Sequence, residues 1–451
     1  MPEQQPAYGA NMPAYGGGAT DTVLHPVVMV ALVLAAILLS VLPRKYAVLP
    51  FLLVVFLVPR GQQIYFAGQH WYALRILVIL GLVRLARGKF QVAGGMNGID
   101  KVFIVWAICH GVNAVLHYPE AGMVAAQAAF WLEAFGGYFL LRHLVQDEED
   151  IAWAAKTFAV LAFILGACML NEKIHGLNVF GYLGGAPLTP TTRDGEIRAQ
   201  AIFGHPILAG SFGATLLPLF VWLWTSGRSR SLAFLGAIGS TLMVYTSASS
   251  TPLLAYAAGM LALGLWPMRR SMRLVRWGVV LTIVGLQVVM NAPVWFVLQY
   301  MNVIGASGGW DRAELIDVFI RHFKDWWLIG AKNYSSWGWD MWDLSNQFVA
   351  EGETSGLLTL VCFIALISRS FSRLGKMRKR VEGDKKQEWF YWCLCAVMVA
   401  HIFAYFGVSY WDQVRIWWWA FLAMVSAASS GLRPEGVSQP GEKPAYEFAA
   451  I

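Results

Sequence analysis

Charged residues are scarce in this chain: Asp, Glu, Lys and Arg make up 14% of its 451 residues, whereas soluble globular proteins contain about 25%. Hydrophobic residues make up 57%, and they occur in long uninterrupted runs. Such runs predict membrane-spanning helices and exclude a soluble enzyme or a DNA-binding protein. The net charge of +7 does not indicate a nucleic-acid partner, because the cations concentrate in short segments between the apolar runs.

The chain also has few of the residues that build disulfides or metal sites. Its five cysteines all lie inside apolar runs, and an odd number of buried cysteines does not predict a disulfide framework. The sequence contains no Gly-rich phosphate loop, no His-Glu-x-x-His motif, no zinc-ligand spacing and no Asp-Asp pair. We therefore expect neither a cofactor nor a metal.

Residues 1–21 lack Lys and Arg, and therefore lack the basic segment of a signal peptide; we expect a disordered outer lead. Residues 22–430 are predicted to form an all-α, polytopic membrane bundle of about 12–13 transmembrane helices, and 431–451 a cytoplasmic tail. The predicted helices are 24–42, 47–59, 71–87, 99–118, 121–145, 151–172, 203–225, 231–247, 251–267, 274–292, 346–368, 389–407 and 410–430.

The distribution of Lys and Arg predicts the orientation. With the N-terminus outside and the C-terminus in the cytoplasm, 24 of the 34 cations lie on the cytoplasmic side, as the positive-inside rule requires. Two outer connections, 173–202 and 293–345, are then long. The apolar spacing over 311–325 predicts an amphipathic helix along the membrane surface. Because loops on a rigid scaffold tend to carry sites, we expect the function to lie in these connections.

Arginines on the outer side of the membrane are exceptions to the positive-inside rule. Arg193, Arg198, Arg312 and Arg415 are candidates for an anion site, because guanidinium groups bind phosphate with two parallel hydrogen bonds. The alternative is local ion pairing: Arg193 with Asp194 or Glu196, Arg312 with Asp311, and Arg415 with Asp412.

Aromatic and polar residues near the end of the second connection predict contacts to a glycan. Trp337 and Trp339 belong to a group of five tryptophans between 326 and 342, and they fit either sugar stacking or an aromatic belt at the membrane interface. Gln347 and Glu351 are four residues apart and share one helix face. Glu351 is predicted either to accept a proton or to hydrogen-bond neighbouring helices.

Short motifs in residues 190–430 resemble the O-antigen ligase and O-antigen polymerase family. They are Arg198 followed by Phe203-Gly204-His205-Pro206, the stretch Thr246-Ser247-Ala248-Ser249-Ser250, Gly309-Trp310-Asp311-Arg312, and Ser345-Asn346-Gln347-Phe348-Val349 with Gly356. The sequence departs from the family pattern at one important position, because the family's histidine falls on Ser345. A serine hydroxyl is no base near neutral pH, so another group must accept the proton.

The resemblance implies transfer of a glycan from an undecaprenyl-pyrophosphate carrier to a hydroxyl group of an acceptor glycan or lipid, without nucleotide or metal, at the bacterial inner membrane. The implied partners are this lipid-linked glycan, the acceptor, the bilayer and polysaccharide export or assembly proteins. The catalytic candidates are Glu351, Arg312 and Arg198. The candidate substrate-binding residues are His205, Arg193, Arg321, Ser345, Asn346, Gln347, Arg415, Trp337 and Trp339.

Ligase and polymerase activity are not separated by the sequence. Two other classes of function stay open. One is a transporter or flippase of lipid-linked glycan, although the chain has no internal repeat of the kind that transporters show. The other is a non-catalytic scaffold in an exopolysaccharide export complex, which the serine at position 345 favours.

Overall fold

The computed structural model describes residues 22–66, 68–88, 90–301, 309–338, 341 and 343–431. The chain is an all-α protein in this part. Its α-helices are α1 (Pro26–Val41), α2 (Arg44–Val55), α3 (Ala73–Arg87), α4 (Gly98–His117), α5 (Ala121–Trp131), α6 (Gly137–Leu144), α7 (Glu148–His175), α8 (Pro206–Thr225), α9 (Arg230–Thr246), α10 (Ser250–Gly264), α11 (Met272–Val289), α12 (Gly309–Arg321), α13 (Phe323–Trp326), α14 (Gln347–Arg380), α15 (Lys385–Tyr405) and α16 (Asp412–Ala428).

Strands are confined to two short antiparallel hairpins in the described residues. The first pairs β1 (Gln63–Phe66) with β2 (Gln69–Tyr72), and the second pairs β3 (Thr191–Arg193) with β4 (Glu196–Arg198). Both hairpins connect helices, and the sequence analysis predicted neither of them. The predicted lead 1–21, Trp339 and all but the first residue of the predicted tail 431–451 lie outside the described residues.

Among the described residues, seven helices are long and apolar enough to cross a membrane. Each of the thirteen predicted ranges overlaps a helix, because a helix satisfies the backbone hydrogen bonds of an apolar run within the run itself. The predicted range 346–368 is too short, since α14 continues to Arg380. Its last two turns are strongly basic, and hydropathy alone does not reveal that a charged segment continues a helix.

Two membrane-length helices contain breaks that the sequence analysis did not predict. A five-residue π-helix, Leu132–Gly136, joins α5 to α6. In α14, Gly356 has φ 80° and interrupts the helix. The backbone groups freed at this break are bonded elsewhere: Leu357 N–H donates to the Trp327 carbonyl at 2.9 Å, and Ala331 N–H donates to the Glu353 carbonyl at 2.7 Å.

The predicted amphipathic segment 311–325 is helical, as α12 and α13. A small apolar cluster of Leu315, Phe319, Trp326, Met341 and Val349 packs these two short helices against the first turns of α14. The apolar face of α12 therefore faces α14.

A buried ion pair joins the first turn of α4 to α6. Arg142 and Asp100 have fully buried side chains, and Nε of Arg142 donates to Oδ1 of Asp100 at 2.8 Å. Nη2 of Arg142 also donates to Oδ2 at 3.1 Å, which makes the pair bidentate. The hydroxyl of Tyr138 donates to the same carboxylate at 2.6 Å. A buried charge with this many partners holds two helices in register.

Candidate anion-binding site

The β3–β4 hairpin presents two arginines on one face. Its turn consists of Asp194 (φ 52°) and Gly195 (φ 79°), a pair of positive φ angles that Asp-Gly adopts readily in two-residue hairpins. Arg193 pairs with Glu196, and Thr191 pairs with Arg198. Because side chains alternate along a strand, this register places Arg193 and Arg198 on the same face, diagonally opposed.

The loop that follows Arg198 is fixed to the helical bundle through its backbone. Glu172, near the end of α7, accepts hydrogen bonds from the backbone of Gln200 at 3.2 Å and of Ala201 at 2.8 Å. Ala199 N–H donates to the carbonyl of Thr246, the last residue of α9, at 3.0 Å. These bonds hold Arg198, which is 8% exposed, in a defined position at the bundle surface.

His205 caps the N-terminus of α8. Its Nδ1 accepts a hydrogen bond from Ile207 N–H at 3.2 Å, and Pro206 occupies the first helical position. Burial and the nearby positive charges of Arg198 and Arg193 lower the pKa of His205 to about 4. The ring is therefore neutral at physiological pH, with Nδ1 as acceptor and the Nε2 proton available to a ligand.

The structure places Arg312 within electrostatic range of Arg193 and Arg198. Burial, together with the charges of Arg193 and Arg312, lowers the pKa of Arg198 to about 10. Burial and the charge of Arg193 also lower the pKa of Arg312, although the carboxylates of Asp343 and Asp311 act in the opposite direction. The three arginines, from two distant segments, are thus close enough to repel one another. We call them the arginine cluster.

The ion pairs of the described residues leave two members of the cluster without a carboxylate partner within 4 Å. Among the described residues, no ion pair forms to Arg198 or Arg312, and the buried Nε of Arg198 has no hydrogen-bond partner. Arg193 forms the predicted local pair with Asp194, but at 3.9 Å and near the surface. A buried guanidinium with an unused donor, close to two further arginines, is an arrangement that suits a phosphate group.

Arg321 and Arg415, two other candidates, have partners of their own. Arg321 is 73% exposed and pairs with Asp317 at 2.7 Å. It follows Arg312 by nine residues, about 13 Å along a helix. Arg415 pairs with Glu133 at 3.6 Å. The alternative pair of Arg415 with Asp412 is absent from the described ion pairs, as is a pair of Arg312 with Asp311.

The sequence analysis missed how Glu133 and Asp412 are compensated. Arg75 Nε donates to Glu133 at 2.6 Å, which gives this carboxylate two arginine partners. Asp412 lies 3.9 Å from Arg60 and accepts a hydrogen bond from Gly204 N–H at 2.8 Å. A single Glu in an apolar run was the only available signal, since its partners lie far away in sequence.

Glu351 and Gln347 form the predicted pair on the first turns of α14. Gln347 Nε2 donates to Oε1 of Glu351 at 2.8 Å, and Trp106 Nε1 of α4 donates to Oε2 at 2.8 Å. Gln347 in turn accepts from Tyr410 N–H. Glu351 is only 3% exposed, so a sugar does not touch it directly in this conformation. Its contacts fit the alternative of a carboxylate that hydrogen-bonds neighbouring helices.

Glu351 lines a cavity of about 50 Å³, hereafter the Glu351 cavity. A second cavity of about 40 Å³, hereafter the Arg60 cavity, contains Arg60, Glu133 and Asp412 in its wall. Arg415 contributes to both walls. The guanidinium of Arg415 therefore lies between the carboxylates of the two cavities.

The remaining candidates lie before and at the start of α14. Asn346 is its N-cap, and its Oδ1 accepts from Phe348 N–H at 2.9 Å and from Val349 N–H at 3.2 Å. Its amide nitrogen stays available. Ser345 bonds through its backbone to the Asp343 carbonyl. Trp337 stacks on His322 with ring centroids 4.6 Å apart.

In the part of the chain that the structure describes, no group of three or more His, Cys, Asp or Glu side chains is arranged to hold a metal ion. Comparisons with protein-family models and with curated proteins find no match to this chain. The functional argument therefore depends on the residues themselves.

Proposed function

We propose that the protein is a membrane glycosyltransferase of the O-antigen ligase or polymerase type, which acts on a glycan linked to undecaprenyl pyrophosphate. The observation that carries this proposal is the arginine cluster. A pyrophosphate carries several negative charges, and three arginines that repel one another gain most when such an anion lies between them. The motif order from Arg198 to Gly356 supports the same conclusion.

In the proposed reaction, an acceptor hydroxyl oxygen bonds to the anomeric carbon of the donor glycan. The bond between that carbon and the phosphate oxygen breaks, and its electron pair leaves with the pyrophosphate. Arg312 and Arg198 stabilise the negative charge that grows on this leaving group, which is where fixed donors accelerate a reaction most. The Nε2 proton of neutral His205 and the positive charge of Arg193 assist at the same phosphate oxygens.

The acceptor loses a proton in this step, and we assign Glu351 as the group that receives it. Because Glu351 is 3% exposed, the proton reaches it through intervening water. The glycan itself is assigned to the surface before α14, with contacts to Ser345 and Trp337. Asn346 is 1% exposed, so it acts as the cap of α14 beneath this surface, and Trp339, which lies outside the described residues, stays a candidate from the sequence alone. Arg321, which is exposed and paired with Asp317, is given no role in the reaction.

We further propose that this protein lies in the bacterial inner membrane with the arginine cluster on the outer side and the C-terminus in the cytoplasm. The excess of Lys and Arg decides which side is cytoplasmic. The ion pairs support the assignment of the connections to two sides, because every described pair except the two of Glu133, which lies within a helix, joins residues that the assignment puts on one side. Arg44 with Asp150 and Arg269 with Glu388 are cytoplasmic examples. A reporter active only outside is expected to work at position 337 and to fail after residue 451. The opposite pattern would remove the basis of the site.

The proposal is tested with Arg312→Ala and Arg198→Ala in membranes supplied with a lipid-linked glycan donor. Each variant is expected to lose 10²–10³ in transfer rate, about 2.7–4 kcal/mol of transition-state stabilisation. The control is Arg321→Ala, since that arginine is exposed and paired with Asp317; it is expected to stay within a few-fold of the unchanged protein. The product's chain length separates a polymerase from a ligase.

Full transfer by Arg312→Ala at normal abundance would exclude the proposal. If the unchanged protein binds the donor but never transfers it, the scaffold alternative holds.

A further inference from the structure

The wall of the Glu351 cavity contains an unusual number of polar atoms without a partner. The cavity has a volume of about 50 Å³. Its lining residues are Trp106, His110, Gln347, Glu351, Phe363, Tyr405, Tyr410, Arg415, Trp418 and Trp419. Four buried atoms among them have no hydrogen-bond partner in the described chain: Nδ1 of His110, the hydroxyl oxygen of Tyr405, Nε of Arg415 and Nε1 of Trp419.

Four such atoms around one cavity are not compatible with a dry interior. Each buried donor or acceptor without a partner destabilises a protein by about 1–3 kcal/mol, and buried polar groups are almost always bonded to protein or to ordered water. A water molecule needs about 10–15 Å³ of such space and two to four polar partners. The cavity therefore has room for about three to five molecules, and Glu351 adds two more acceptor oxygens.

Arg415 extends this polar region to the Arg60 cavity. One side of its guanidinium lies 3.6 Å from Glu133, a residue that lines the Arg60 cavity together with Arg60 and Asp412. Arg60 has a side chain that is 28% exposed, so this second cavity approaches the protein surface. Asp412 binds Gly204 N–H, one residue before His205. The Arg60 cavity is therefore adjacent to the loop between Arg198 and His205.

We propose that ordered water fills the Glu351 cavity, bonded to His110, Tyr405, Arg415 and Trp419, and that it connects Glu351 across Arg415 to the Arg60 cavity beside the arginine cluster. Arg415 stays protonated, because the guanidinium group does not lose its proton in proteins. It holds water on its two sides and is a positioning residue.

The use of this water as a proton route depends on the proposed function, whereas the hydration does not. In the route, the acceptor O–H bond breaks as the new glycosidic bond forms. The proton passes along the water of the two cavities to a Glu351 carboxylate oxygen. In the next step, Glu351 returns the proton to the same water, and the proton leaves to solvent past Arg60. Glu351 is then a carboxylate again, and the pyrophosphate keeps the electron pair of the broken bond.

Two tryptophans on α16 allow a direct test of the hydration. Trp417 and Trp419 are both 0% exposed. Trp417 Nε1 donates to Thr215 Oγ1 at 2.9 Å, whereas Trp419 lines the cavity and its Nε1 has no protein partner. The full chain is labelled with ¹⁵N-tryptophan, placed in lipid nanodiscs and transferred to D₂O. Trp417→Phe and Trp419→Phe assign the two indole N–H signals.

A hydrated cavity predicts that the Trp419 indole proton exchanges at least 100-fold faster than that of Trp417. Equal and slow exchange of the two would overturn the proposal. Because the comparison is made in the unchanged protein, it does not depend on whether a variant folds, and it needs no activity.

The proton route is tested with Tyr405→Phe, which removes one polar wall atom and keeps the ring. The expected result is a tenfold lower transfer rate and a larger solvent deuterium isotope effect, with an unchanged KM for the donor. Tyr391→Phe is the control, because the hydroxyl of Tyr391 bonds to the Ala428 carbonyl elsewhere. An unchanged isotope effect in Tyr405→Phe would overturn the route. A fully active Arg312→Ala would instead overturn the proposed function and leave the Trp419 result standing.

Discussion

Arg142 and Arg198 are both buried arginines, but their surroundings differ in kind. Arg142 is fully buried and forms a bidentate pair with Asp100, which Tyr138 also contacts. Arg198 is 8% exposed, forms no ion pair among the described residues and lies near the like charges of Arg193 and Arg312. Folding compensates the first arginine and leaves the second uncompensated. Under the proposed function, a buried cation of the second kind serves to bind an anion that is not part of the chain.

Glu351 is a buried charge that has hydrogen-bond partners but no ion pair, unlike both Arg142 and Arg198. A change at this position has the largest expected effect on transfer rate. Its partners are the neutral donors Trp106 and Gln347 rather than a cation. Glu351→Gln keeps the size of the side chain and removes the proton acceptor, so we expect a loss of about 10²–10⁴ in transfer rate. Ser345→Ala removes only a hydroxyl and is expected to cause a partial loss. The measurement is product formation at matched protein abundance.

If Glu351→Gln transfers normally while Ser345→Ala does not, Glu351 is a structural residue and the proton has another acceptor. If neither change matters, the scaffold alternative gains support.

The next largest effect is expected from a change at Arg142, and it concerns stability rather than activity. Arg142→Met leaves Asp100 buried without a cation, and breaking a buried pair from one side lowers the free energy of unfolding by about 3–5 kcal/mol. The measurement is denaturant unfolding of the purified protein in detergent. Asp100→Asn together with Arg142→Met removes both charges and is expected to recover most of the loss. A single variant as stable as the unchanged protein would mean that the pair does not hold α4 and α6 together.

Lysine substitutions test whether Arg198 and Arg312 act through the geometry of the guanidinium group or only through its charge. Lysine keeps the charge but not the planar fork of donors. We expect Arg198→Lys and Arg312→Lys to lose about 10²–10³ in transfer rate, nearly as much as the alanine variants, with no change in unfolding. Arg321→Lys is the matched control on the same helix as Arg312. Activity close to normal in both cluster variants would show that only charge is needed there.

The smallest expected effect concerns acid sensitivity next to the cluster. The pKa of His205 is lowered to about 4 by burial and by Arg198 and Arg193, whereas it is about 6.5 in an unfolded chain. Protonation therefore favours unfolding. The stabilisation is complete above pH 6.5 and declines as the pH falls from 6.5 towards 4.

His205→Asn keeps an N-cap residue and removes this titration. The melting temperature of the variant is expected to fall less between pH 7 and pH 5, by about 1–2 °C. An equal fall in both proteins would contradict the assigned state of His205.

The helices could be predicted from the sequence because each depends on a local run of apolar residues. The arginine cluster and the Glu351 cavity depend on contacts between distant segments. Arg198 and Arg321 look equivalent in sequence, and only the fold shows that one is paired at the surface and the other is not. The β3–β4 hairpin did have a local signal, the Asp194-Gly195 turn between short β-forming segments.

Contacts between distant segments account for the rest. The hydrogen bond from Trp106 to Glu351 joins residues 245 positions apart, and the bond from Arg75 to Glu133 spans 58. A single sequence shows which residues are charged but not which charges cancel. The cavities and their unpartnered atoms are likewise properties of packing, so they were not predictable from residue spacing.

The interruption of α14 at Gly356 limits how the chain tolerates change. A Cβ atom at this position would lie 2.5 Å from the Leu328 carbonyl oxygen, and φ of 80° is unfavourable for any other residue. Two backbone hydrogen bonds, from Leu357 N–H to the Trp327 carbonyl and from Ala331 N–H to the Glu353 carbonyl, therefore fix the helical turn that carries Glu351 to the 327–331 segment. A substitution at Gly356 that makes the helix continuous in order to raise its stability would break these two bonds. It would thereby change the position of Glu351, although Gly356 has no role in the proposed reaction.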